Sequence, residues 1–76
     1  MRLLYIVEFM IGSYRAKSMY GIADKAYEHF ARLRLSPGQN VVMTSYALNE
    51  FTGIYDFVEE FSWEDGGFRE IKVRQR

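Results

Sequence analysis

The chain has 76 residues, 49% of them hydrophobic and 17% aromatic, with ten basic side chains against ten acidic ones. That length allows one domain, and that composition is too apolar for a disordered tail. The formal net charge of zero argues against a general nucleic-acid binder, and the absence of cysteine removes disulfides, thiolate chemistry and sulfur-ligated zinc.

The longest apolar run near the start, Leu3 to Val7, falls far short of the roughly 18 residues of a membrane span, and no cleavage pattern follows it. A single cytoplasmic domain without a membrane segment is therefore expected. Leu3 to Ile11 is rich in β-branched and aromatic residues and predicts a strand. Gly12-Ser13 suits a two-residue type II′ hairpin, because glycine supplies the positive φ at the first turn position. Tyr14 to Lys17 is then a short return strand, with Tyr14 and Ala16 on one face and Arg15 and Lys17 on the other.

Ser18 is a helix cap by type, since its hydroxyl can accept a bond from an unpaired amide of the first turn. Met19, Ile22, Ala23, Ala26, Phe30 and Leu33 recur at three- and four-residue intervals and predict one amphipathic helix, with Lys25, Glu28, His29 and Arg32 off the apolar stripe. Gly21 weakens the start of that helix and moves its boundary towards Ile22. Ser36-Pro37-Gly38-Gln39-Asn40 ends it as a turn.

Asn40 to Leu48 predicts a strand through Val41, Val42, Met43, Thr44 and Tyr46. Residues 49–62 admit two readings. Phe51, Ile54, Tyr55, Val58 and Phe61 share a helical face with Asn49 as a cap, whereas Gly53 and the Thr, Ile, Tyr, Phe and Val content favour a strand. Register favours the strand: a type I′ turn at Asp65-Gly66 sets Trp63 opposite Phe68, Glu59 opposite Lys72 and Val58 opposite Val73. Ile54 to Trp63 and Phe68 to Arg74 are the last two predicted strands.

The expected fold is α+β in the order β-β-α-β-β-β, an antiparallel sheet with one amphipathic helix packed on one face. One helix covers one face, yet large apolar groups occupy both. In the first strand Leu3, Tyr5, Val7 and Phe9 alternate with Leu4, Ile6 and Met10; in the fourth Tyr55, Phe57, Phe61 and Trp63 alternate with Ile54 and Val58. Apolar surface is therefore expected to stay open for a second copy or another protein.

Charge is segregated along the chain. Residues 1–40 hold Arg2, Arg15, Lys17, Lys25, Arg32 and Arg34 against Glu8, Asp24 and Glu28, and residues 69–76 hold Arg69, Lys72, Arg74 and Arg76 against Glu70. Residues 41–68 hold no base and the acids Glu50, Asp56, Glu59, Glu60, Glu64 and Asp65. Folding either neutralises these blocks against one another or leaves a two-signed docking surface. A nucleic-acid surface would join Arg15, Lys17, Arg32, Arg34, Arg74 and Arg76, with Tyr14 and Tyr20 to stack on bases. The acidic segment would instead occupy a basic groove of another protein.

No motif for chemistry is complete. Gly12-Ser13-Tyr14-Arg15-Ala16-Lys17-Ser18 lacks the second glycine of a phosphate loop. His29 with Asp24 and Glu28 offers at most two metal ligands where three or four are needed, so His29 is expected as an exposed side chain on the polar side of the helix. Glu59 and Glu60 are neighbours, and on a strand they point to opposite faces, so they make no acid and base pair. No catalytic residue, metal site or cofactor is expected.

In its opening strand Leu4-Tyr5-Ile6-Val7-Glu8, in Arg15-Ala16-Lys17-Ser18 leading into the helix, and in the closing meander through Glu64-Asp65-Gly66-Gly67, the layout resembles that of the small phage-encoded inhibitors of bacterial CRISPR immunity. Many of these are single domains with a bent antiparallel sheet and one helix. The resemblance implies a non-enzymatic, stoichiometric inhibitor in the bacterial host cytoplasm that binds a CRISPR effector complex and blocks its target DNA. The charge pattern nominates Arg15, Lys17, Arg32, Arg34, Arg74, Glu59, Glu60 and Asp65 as partner-binding residues. The alternatives are a small nucleic-acid-binding regulator and a homo-oligomeric accessory protein.

Overall fold

A computed structural model describes residues 2–33, 38–64 and 72–75 of the chain. Its elements are β1 (Leu3–Ile11), β2 (Tyr14–Tyr20), α1 (Ala23–Arg32), β3 (Asn40–Asn49), β4 (Ile54–Glu64) and β5 (Lys72–Gln75), in the order read from the sequence. The strands form one antiparallel sheet in the spatial order β2-β1-β3-β4-β5, and α1 packs on one of its faces.

The first hairpin follows from its turn. Ile11 pairs with Tyr14 across Gly12-Ser13, and glycine carries the positive φ of 59°. A side chain at this position would meet no atom within 4 Å, so its cost there is backbone strain alone. Gly12→Val is expected to lower stability by about 1–3 kcal/mol, read as a drop in the urea midpoint. An unchanged midpoint would show that the turn does not depend on this conformation.

β2 runs three residues beyond its predicted end. Ser18 lies opposite Val7 in the ladder and caps nothing; the residue before the helix is Ile22, with φ −117° and no side-chain cap bond. Met19 leaves the predicted helical stripe for the strand and is 67% exposed. The reason is cooperative: once the turn fixes the hairpin, Ser18 and Tyr20 each add a bonded pair with β1, and Met19 between them is carried along. Gly21 then separates strand from helix.

The ten-residue α1 is too short to persist alone and depends on its apolar side. Ala26 and Phe30 are buried, and Ala23 and Leu33 pack against the same core. That core consists of Tyr5, Val7, Ala26, Phe30, Val41, Met43 and Trp63. Trp63 closes it by donating its indole N–H to the carbonyl of Phe30 at 3.0 Å. Of the turn predicted after the helix, Ser36 and Pro37 lie outside the described residues; Gly38 has φ 83°.

Residues 54–64 are strand throughout, so the helical reading of this stretch is excluded. Asn49 acts in the preceding turn, where its Oδ1 accepts from the amides of Phe51 at 3.0 Å and Thr52 at 3.3 Å, and Gly53 completes the turn with φ 72°.

Two features of β4 correct the sequence reading. Ser45 pairs with Glu59 but Tyr46 pairs with Phe57, which makes Val58 the extra residue of a β-bulge. Alternation reverses there, so Phe61 and Trp63 face the helix while Tyr55 and Phe57 face the other side. The pairing with β5 is also three residues away from the one a two-residue Asp65-Gly66 turn imposes: Glu59 meets Gln75, Glu60 meets Arg74, Phe61 meets Val73 and Ser62 meets Lys72. Glu59–Lys72 and Val58–Val73 are thus not partners. Asp65, Gly66 and the part of the predicted last strand from Phe68 to Ile71 lie outside the described residues.

Candidate functional site

The face of the sheet turned away from α1 carries a run of large apolar side chains with no element packed on them among the described residues. Alternation decides its members. With Tyr5, Val7, Val41 and Met43 buried beneath the helix, Leu4, Ile6 and Met10 of β1 and Val42, Thr44, Tyr46 and Leu48 of β3 must point the opposite way. Register sets them side by side: Met19, Ile6, Thr44, Glu60 and Arg74 form one row across all five strands, and Leu4, Tyr46 and Phe57 form the next. Leu48 and Tyr55 follow.

Tyr46 and Phe57 meet edge to face, with ring centroids 6.4 Å apart. Leu4, Ile6, Val42, Tyr46, Leu48 and Phe57 are each half-buried by their neighbours in the sheet. Among the described residues no element lies over them; α1 touches β1, β2 and β3 from the other side. This strip combines an apolar centre with aromatic groups, the composition that suits the middle of a protein interface.

Charged groups flank the strip and are matched within the chain. On the β2 side Glu8 lies 3.6 Å from both Arg15 and Lys17. On the β5 side Arg74 donates from Nε to Glu60 at 2.9 Å, a second bond runs from its Nη2 to the same oxygen, and its guanidinium stands 4.8 Å over the Phe57 ring. The pair Glu60–Arg74 joins the acidic middle of the chain to its basic end, one contact of the neutralising kind among the described residues.

The nominated partner-binding residues are thereby divided. Arg15 and Lys17 stand together on β2, Arg74 and Glu60 stand together three and four strands away, and all four flank the open face. Arg32 is on α1, on the opposite side of the sheet, where it pairs with Glu28 at 2.9 Å. Glu59 also faces the helix side, as the partner of buried Ser45, and accepts from the Gln75 amide at 3.3 Å. Arg34 and Asp65 lie outside the described residues, as does Arg76. The basic groups read as one nucleic-acid surface do not form a continuous track among the described residues, and Tyr14 and Tyr20 belong to the helix-side set of β2.

His29 is not a freely solvated side chain. It is half-buried, shares a 2.7 Å hydrogen bond between Nδ1 and the Tyr20 hydroxyl, and meets the Phe9 ring edge-on at 4.9 Å. Sequence spacing gave no sign of this, because Tyr20 reaches it only once β2 extends past Lys17. An open groove of about 460 Å³ lies here, lined by Tyr20, Lys25, Glu28, His29 and Arg32. Nearby, Tyr5, Tyr27 and Phe61 form a chain of aromatic contacts. Burial there, with the Glu59 carboxylate as a further cause, raises the Tyr27 phenol above its ordinary pKa.

Among the described residues no three His, Asp or Glu side chains gather as a metal site, and no helix is long and apolar enough to cross a membrane. Comparison with protein-family models, curated proteins and solved structures finds no match for this chain.

Proposed function

We propose that the chain is a non-catalytic protein-binding module that docks through the open face of its sheet. The observation that carries this reading is the uncovered strip from Ile6 and Leu4 through Tyr46 to Phe57, with Leu48 and Tyr55 beside it. Apolar surface of this kind is ordinarily covered by a partner. Arg74, the cation that stands over Phe57, already has Glu60 as its carboxylate partner, which favours an apolar protein surface over a phosphate backbone as the occupant of the strip.

The narrower form of the proposal follows the resemblance in layout: the partner is a CRISPR effector complex, and docking blocks its target DNA. The test is capture on the immobilised protein from assembled effector complexes mixed with random duplex DNA, at low and near-physiological salt, read by mass spectrometry. Retention of an effector at both salts, with its DNA binding lost, is the expected result. Ile6→Glu combined with Phe57→Glu is expected to abolish that retention while the far-UV circular dichroism is unchanged.

Retention of DNA alone, fading as salt rises, would transfer the reading to a nucleic-acid regulator. Retention that survives both substitutions would remove the open face from the proposal. A concentration-dependent mass, abolished by the same pair, would make a second copy the occupant.

A further inference from the structure

We infer that the outer edge of β2 is a second docking site, which accepts an extended acidic segment as an added strand. The hairpin geometry settles which backbone groups are available. A two-residue turn makes Ile11–Tyr14 a hydrogen-bonded pair, and with period two the same holds for Phe9–Ala16, Val7–Ser18 and Tyr5–Tyr20. The N–H and C=O groups of Arg15, Lys17 and Met19 therefore point outward, away from β1. Among the described residues β2 is bonded on its β1 side only, and its seven residues exceed the four of the other edge strand, β5.

Charge chooses the occupant. A strand laid against this edge sets alternate side chains beside Arg15, Lys17 and Met19 on the open-face side. On the other side its side chains approach the groove lined by Tyr20, Lys25, Glu28, His29 and Arg32. On the open-face side the edge holds Arg15 and Lys17 against Glu8 alone, whereas on the other side Lys25 and Arg32 are balanced by Glu28 and by Asp24, the neighbour of Lys25. Two cations sharing one carboxylate on the open-face side fit acidic residues at every second position of the added strand, those beside Arg15 and Lys17. A second copy does not fit as well: antiparallel pairing centred on Lys17 sets lysine against lysine, which is destabilising.

The test is a fluorescence-polarisation titration of the intact chain with a labelled octapeptide alternating Glu and Thr, alongside one alternating Lys and Thr. The acidic peptide is expected to bind more weakly as salt rises, and the basic peptide not to bind. Lys17→Gln removes the charge and keeps the amide. Lys17→Pro removes the outward N–H as well, at an edge position where proline is tolerated.

Lys17→Pro is expected to weaken binding about tenfold beyond Lys17→Gln, the equivalent of one net hydrogen bond. Unchanged circular dichroism will show that both variants fold; should proline perturb the fold, protection of the Arg15, Lys17 and Met19 amides from exchange in the wild-type complex replaces it as the readout. Equal affinity of the two variants, unprotected amides, binding of the basic peptide, or no binding of the acidic one would each overturn the proposal.

Discussion

Val7→Glu is expected to unfold the chain, whereas Ile6→Glu, one residue away, leaves it folded. Val7 has no exposed surface and sits between Ser18 and Met43 beneath α1, where a carboxylate finds neither water nor a cation. Burying it unpaired costs several kcal/mol, comparable to the roughly 5–15 kcal/mol that holds an ordinary domain together. Ile6 lies between Met19 and Thr44 on the open face, half in water, and loses about 1 kcal/mol of apolar burial. Urea unfolding monitored by circular dichroism separates the two. Equal losses would mean that something covers the open face in the folded chain, and the docking reading would lose its basis.

Trp63→Ala is the second large effect. The indole is 5% exposed, lies opposite Val41 at the base of the core, and ties β4 to α1 through the Phe30 carbonyl. Removing a buried tryptophan costs about 3–5 kcal/mol. In a chain of this size that is most of the available stability, and α1 loses the anchor near its C-terminal end. Trp63→Phe separates the contributions: it keeps much of the apolar volume but leaves the carbonyl without the indole donor, an expected loss of about 1–3 kcal/mol. The far-UV helical signal should fall with stability in both variants, since α1 has no independent means of persisting. A helical signal that outlasts the loss of the sheet would contradict that dependence.

The errors of the sequence reading share one origin. Ser18 has the chemistry of a cap, but pairing with Val7 in an already formed hairpin outweighs a cap bond. Three plausible pairs supported a register with Glu59 opposite Lys72, yet Glu60 with Arg74 and Phe61 with Val73 are equally good matches three residues away. Short-range chemistry does not distinguish them. The bulge at Val58 carries no sequence signal at all, and it is what sends Phe57 to the open face and Phe61 under the helix.

The candidate site was legible to a similar depth. Large apolar residues on both faces of the first strand, with one helix to cover them, foretold an open surface. Its membership in β3 and β4, and the separation of Arg15 and Lys17 from Arg32 and Arg74, were not foretold.

Chain-local chemistry was enough for the Gly12-Ser13 hairpin, the single amphipathic helix and the excess of apolar surface, because each depends on turn preference, periodicity or composition within a few residues; the strand over 54–64 was reached through a register that the fold replaces. Registry, the bulge, the Tyr20–His29 pair and the partners of each charge needed the helix packed against the sheet. They depend on which face of each strand is buried, and burial is a property of the assembled layers: Trp63 and Phe61 seated under α1 fix the parity of β4 back to Glu59, and the bulge at Val58 reverses it so that Phe57 and Tyr55 reach the open face.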